Sequence, residues 1–113
     1  AFDAVEQSGK DAEGRATHFV IGVDSNQNCV KPGFVLTSMV KRVDNAVYDI
    51  VKEVVNHRFS PGLHVFGMDK DGVGYAMDEN NKDLVSPEAI QEAEAAKKKI
   101  IDGEIKVTDA IGS

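Results

Sequence analysis

Two clusters of polar side chains, each placed where an apolar run ends, are where this sequence could do chemistry. Phe19-Val20-Ile21-Gly22-Val23 stops at Asp24-Ser25-Asn26-Gln27. Phe34-Val35-Leu36 stops at Thr37-Ser38, with Lys41-Arg42 just beyond. A carboxylate at a strand end can accept bonds from two adjacent hydroxyls, as on a ribose or another sugar, and such charge-assisted bonds are strong and directional. Asp24 could take that role, or could cap the following turn. Asn26 and Gln27 present donors and acceptors together, which suits a neutral polar ligand or a solvated turn. Lys41 could bond a ligand oxygen or hold Asp24 as an ion pair. If Thr37 or Ser38 instead caps a helix, Lys41 sits at its positive end, where a cation is mildly unfavourable.

This is chemistry for holding a ligand rather than transforming one. His18, His57 and His64 lack metal-ligand spacing to one another. No nucleophile elbow or H-E-x-x-H pattern is present. Asp69-Lys70-Asp71-Gly72 begins like a calcium loop, but its glycine falls too early and the twelfth position is Asn80 rather than Glu. Gly67, Gly72 and Gly74 do not spell a dinucleotide or phosphate-binding fingerprint. Cys29 is the single cysteine and lies in a polar loop, so no internal disulfide, metal or thiol chemistry is expected. The residues predict a binding protein without catalytic groups, metal or cofactor.

The elements that must position these groups follow from periodicity. The run 19–23 does not alternate, which predicts a strand buried on both faces. Lys31-Pro32-Gly33 breaks the chain, and 34–38 is the next strand. Val43, Val47, Ile50, Val51, Val54 and Val55 recur at helical spacing, predicting a helix over about 42–57. Leu63 to Met68 reads as a third strand, Asp69 to Gly72 as a tight turn, and 73–77 as a short extended segment. Ser86-Pro87-Glu88 is a strong helix start, with Ser86 as cap and Pro87 at the first helical position. Ala89, Ile90, Ala93, Ala96, Ile100 and Ile101 form its apolar stripe, and Gly103 closes it. Residues 105–107 form a last extended piece. A short helix over the first residues ends near Gly9 or Gly14. This alternation predicts an α/β layout with a mostly parallel sheet.

At 113 residues the chain has room for one small domain with a modest core. Its net charge of -6 argues against a nucleic-acid partner. The one basic run, Lys97-Lys98-Lys99, falls near a helix C-terminus, where cations complement the macrodipole. No window approaches a membrane span. No signal peptide is visible, and Ala1 to Val5 reads as the inside of a helix, so a start within a domain is expected.

Several blocks in order carry a resemblance: Phe2 to Val5, VIGVDSNQ (Val20 to Gln27), VLTSMVKRVD (Val35 to Asp44), VFGMDKDGVGYA (Val65 to Ala76) and KKKIIDGEIKV (Lys97 to Val107). Together they resemble the basic membrane protein family, bacterial substrate-binding lipoproteins of ABC transporters, many of which bind purine nucleosides. The resemblance implies a type I periplasmic-binding-protein fold, in which two α/β lobes close around a ligand. Residues 1–113 would be most of a single C-terminal lobe, with a hinge crossing near 66–75 and the N-terminal lobe absent. It implies a nucleoside-like ligand, permease subunits as partners, and a lipid anchor holding the full-length protein at the bacterial cell surface or in the periplasm. Asp24 matches the family's VDSDQ-type block, whose Asp contacts ribose hydroxyls. Lys41 matches the Lys of a TSxxK-type block near the sugar, and Gly67 and Gly72 sit where a glycine-rich crossing approaches the cleft. Asn26 departs from the Asp often found there, which removes a charge beside the site. A ligand-sensing or interaction domain of the same fold, without a transport role, is the alternative.

Overall fold

The computed structural model describes residues 1–111, built as α1 (Phe2–Ser8), β1 (Val20–Asp24), β2 (Val35–Lys41), α2 (Val43–Val55), a 3-10 turn (Met68–Lys70), β3 (Val73–Tyr75) and α3 (Pro87–Ile101). The three strands form one sheet in the order β1-β2-β3. β1 and β2 run parallel, with Asp24 opposite Val40, and β3 joins the other edge of β2 antiparallel, with Val73 opposite Lys41. The sheet therefore holds one parallel and one antiparallel pairing.

β2 is longer than the sequence predicts. Thr37 and Ser38 lie inside the strand, not at a helix start, because tertiary partners satisfy their hydroxyls. Thr37 Oγ1 donates to the Ala76 carbonyl at 2.8 Å, and Ser38 Oγ donates to Asn28 Oδ1 at 2.8 Å. With the hydroxyls paired, the strand continues to Lys41 alongside β3.

The helices follow local rules. Ser86 accepts from the Ala89 amide at 3.2 Å, as its capping role requires. At the other end of α3, Gly103 takes φ 80°. Gly103 N donates to Ile100 O at 3.2 Å and Glu104 N to Lys99 O at 2.9 Å, a Schellman closure. α1 ends at Gly9 and is tied to the β1–β2 loop by Lys31, which pairs with Glu6 and reaches Asp3 at 3.3 Å. Those two carboxylates, Glu6 first, hold the Lys31 ammonium above its ordinary pKa.

Three expectations fail for one reason, the lack of a covering neighbour. β1 is an edge strand, and Ile21 and Val23 are 57% and 53% exposed instead of buried on both faces. Residues 63–68 form no strand: the backbone finds no ladder partner among the described residues, and Leu63 is 92% exposed. Residues 105–107 likewise join no sheet. The apolar stripes of α2 and α3 contain no fully buried residue. Among the described residues the buried apolar core consists of Phe34 and Val35. The radius of gyration is 17.6 Å, against about 13 Å for a compact domain of this length. The apolar stripes of α2 and α3 thus stay largely open to solvent among the described residues.

Candidate functional site

The parallel pairing brings the two polar clusters together. Asp24 ends β1 and Lys41 ends β2, and Lys41 Nζ lies 2.9 Å from Asp24 Oδ1. Both side chains remain more than half exposed, at 66% for Asp24 and 57% for Lys41. An ion pair in that setting adds at most about 1 kcal/mol to stability. Asp24 has φ 73°, a left-handed conformation that disfavours residues with a Cβ. The strand thus ends on a strained residue whose carboxylate meets a cation at the C-terminal edge of a parallel pair, the edge at which open α/β sheets bind ligands.

The loop after Asp24 is tightly organised. Gln27 Oε1 accepts from the Val23 amide at 3.0 Å, and the Gln27 amide donates to Ser38 Oγ at 3.0 Å. Gln27 Oε1 and Ser38 Oγ are therefore engaged by protein groups. Ser38, fully buried, hangs beneath Gly22 of β1. A Cβ on Gly22 would stand 2.5 Å from Ser38 Oγ and 2.9 Å from Gln27 Oε1, so only glycine fits. Asn26 lines an open cleft of about 430 Å³ with Val40, Arg42, Asp44, Tyr75 and Met77. Asp24 and Lys41 flank the loop outside that cleft's lining. Gly67 lies at a different place, opening the 3-10 turn, where its carbonyl accepts from the Gly72 amide at 2.9 Å. Gly72 packs so closely on Phe66 that a Cβ would lie 2.4 Å from the Phe66 carbonyl oxygen.

Sequence reasoning missed Asn28, Asp78 and Asn81. Asn28 and Asn81 are fully buried. Asp78 Oδ2 accepts from Asn26 Nδ2 at 2.7 Å and from Asn28 Nδ2 at 3.2 Å, and its Oδ1 accepts from the Asn80 amide at 2.8 Å. These donors, Asn26 first, hold the Asp78 carboxyl below its ordinary pKa. Nothing local links positions 26 and 78; the signal is confined to a polar run, Asp78 to Asp83, that looks like solvated loop.

Beside the cleft, Tyr75 donates its hydroxyl to Glu94 of α3, and this bond to a carboxylate pushes the phenol up to about 12. A folded pKa above the free-tyrosine value of about 10 stabilises the fold fully below pH ~10 and loses that contribution as pH rises through ~12. Ultraviolet titration at 295 nm is expected to show one phenol ionising near 12, with Glu94→Gln bringing it down; an unchanged titration in the variant would remove Glu94 as the cause.

A family model described as "Bmp: ABC transporter substrate-binding protein PnrA-like" matches residues 2–110. The chain belongs to this family. An uncharacterized lipoprotein of Pyrococcus abyssi is 38% identical over 74 residues, which is 66% of this chain and 18% of that protein. The CD4+ T-cell-stimulating antigen of Listeria monocytogenes is 37% identical over 101 residues, 80% of this chain and 28% of its own length. Basic membrane protein D of Borreliella burgdorferi is 33% identical, over 80% of this chain and 27% of its own. A solved ABC transporter solute-binding protein from Aeropyrum pernix superposes with a TM-score of 0.62 at 29% identity, covering 81% of this chain and 33% of that one. The α/β layout is thus that of a portion of a solute-binding protein, and the chain spans less than a third of the length of the curated relatives it matches.

Proposed function

We propose that residues 1–113 form most of the C-terminal lobe of a two-lobe solute-binding protein that captures a purine nucleoside for an ABC importer. The observation that carries this reading is the Asp24–Lys41 pair on adjacent parallel strand ends, 2.9 Å apart and open to solvent. A carboxylate held there offers acceptors to a vicinal diol, and the ammonium offers a donor to a sugar oxygen. The uncovered faces of β1 and α2 are consistent with a second body packing on this one. The segment 66–75 serves as the hinge crossing, where Gly72 lets the chain pack directly on the Phe66 backbone. Lobe closure then buries the ligand between the two halves. Such a protein binds and releases its ligand unchanged, and the lipoproteins among its relatives support an anchored, extracytoplasmic location.

The test is isothermal titration calorimetry on the full-length protein with inosine, guanosine and adenosine, and with ribose and free hypoxanthine as controls. Nucleosides are expected to bind at least tenfold more tightly than either half of the molecule. The 113-residue chain alone is expected to bind far more weakly, since one wall of the cleft is missing. Absence of nucleoside binding by the full-length protein would overturn the ligand assignment.

A further inference from the structure

We propose that Asn26 and Asp78 are positioning residues: together they lock the loop that follows Asp24, and Asn26 is not itself a ligand contact. This rests on the reading of Asp24 as the acceptor for the sugar. The loop is held in a closed circuit of hydrogen bonds that begins and ends on β2. From Ser38 the circuit passes to Asn28 Oδ1 at 2.8 Å, and from the Asn28 amide to Asn26 Oδ1 at 3.0 Å. Asn26 Nδ2 then donates to Asp78 Oδ2 at 2.7 Å. The Asp78 amide donates to Asn81 Oδ1 at 2.8 Å, and Asn81 Nδ2 returns to the Leu36 carbonyl at 2.8 Å. Three members, Ser38, Asn28 and Asn81, are fully buried.

The chemistry of the circuit dictates the residue at position 26. An ionised carboxylate only accepts, so the group facing Asp78 must donate. The Asn28 amide must likewise find an acceptor at position 26. An asparagine supplies both from one side chain. An aspartate at 26 would accept from Asn28 but would press a second negative charge against Asp78. Each end of the Asn26 amide therefore has a protein partner, and changing either end breaks a bond of the circuit. Loss of the lock frees the residues immediately after Asp24, and the backbone at Asp24 is already strained, at φ 73°. A loosened loop lets that residue relax away from Lys41.

The test is a double-mutant cycle in the full-length protein: Asn26→Asp, Asp78→Asn and the exchange of both, each read by thermal unfolding without ligand and by calorimetry with inosine. Asn26→Asp is expected to lower Tm by several degrees and to weaken inosine at least tenfold. The exchanged pair restores one donor facing one acceptor between positions 26 and 78 but takes away the oxygen that Asn28 Nδ2 also donates to, so it is expected to recover part of both losses, together. If Asn26 were a ligand contact, the exchange would recover Tm but not affinity, and the proposal would fail. It would also fail if Asn26→Asp left Tm unchanged or the exchange recovered nothing. Should the unaltered protein bind no inosine, the nucleoside reading falls, while the ligand-free Tm cycle still decides whether the lock exists.

Discussion

Replacing Gly22 with alanine is expected to lower the unfolding free energy by about 1–3 kcal/mol, the range for forcing extra volume into a closed site. The methyl group would stand 2.5 Å from Ser38 Oγ. Ser38 is fully buried, and its hydroxyl both accepts from the Gln27 amide and donates to Asn28. It cannot rotate away without stranding those partners, and a stranded buried polar group costs about 1–3 kcal/mol. The Gln27 side chain, 2.9 Å from the same methyl, holds the Val23 amide and is no freer. Urea unfolding should show a lower midpoint with the slope preserved. Because the clash and the hydroxyl bonds share one oxygen, Gly22→Ala and Ser38→Ala together should cost less than the sum of the two alone. An unshifted midpoint in Gly22→Ala would mean that β1 and β2 do not approach as closely as this register requires.

What could be read from the sequence divides along the range of the interactions. The ends of α3 were legible because Ser86, Pro87 and Gly103 act on backbone groups within a turn of themselves. The meeting of Asp24 and Lys41 was legible because both sit at the ends of apolar runs that pair in parallel. β2 was misjudged because Thr37 and Ser38 look like a strand's end or a cap. What keeps them inside the strand is Ala76 and Asn28, neighbours in space but not in sequence. Residues 63–68 failed in the opposite way: their apolar pattern is that of a strand, but no pattern supplies the ladder partner that makes one. Asp78 was invisible, since its value lies in Asn26 and Asn28, about fifty positions upstream. The family resemblance reached further than periodicity because it reads several blocks at once, and the family it pointed to is the one whose model matches residues 2–110.

Asp24→Asn in the full-length protein is expected to weaken nucleoside binding by about 10- to 100-fold, the equivalent of roughly 1.5–3 kcal/mol for hydrogen bonds to a charged acceptor. Asparagine is the informative replacement. It tolerates the left-handed backbone that Asp24 occupies at φ 73°, so the turn is kept while the charge goes. It offers one acceptor oxygen, and the amide nitrogen that replaces the second oxygen can only donate. A diol that must donate two bonds therefore loses one partner and meets a competing donor. Asp24→Ala should lose at least as much affinity and also some stability, since alanine pays for the left-handed conformation without the local hydrogen bonding that helps Asp and Asn there. Stability in Asp24→Asn should change little, because the bond to Lys41 is an exposed one and worth little by itself. This split separates a ligand-holding carboxylate from a turn cap. A cap would lose stability chiefly in the alanine variant and leave affinity per folded molecule intact in both, whereas a ribose acceptor loses affinity in both.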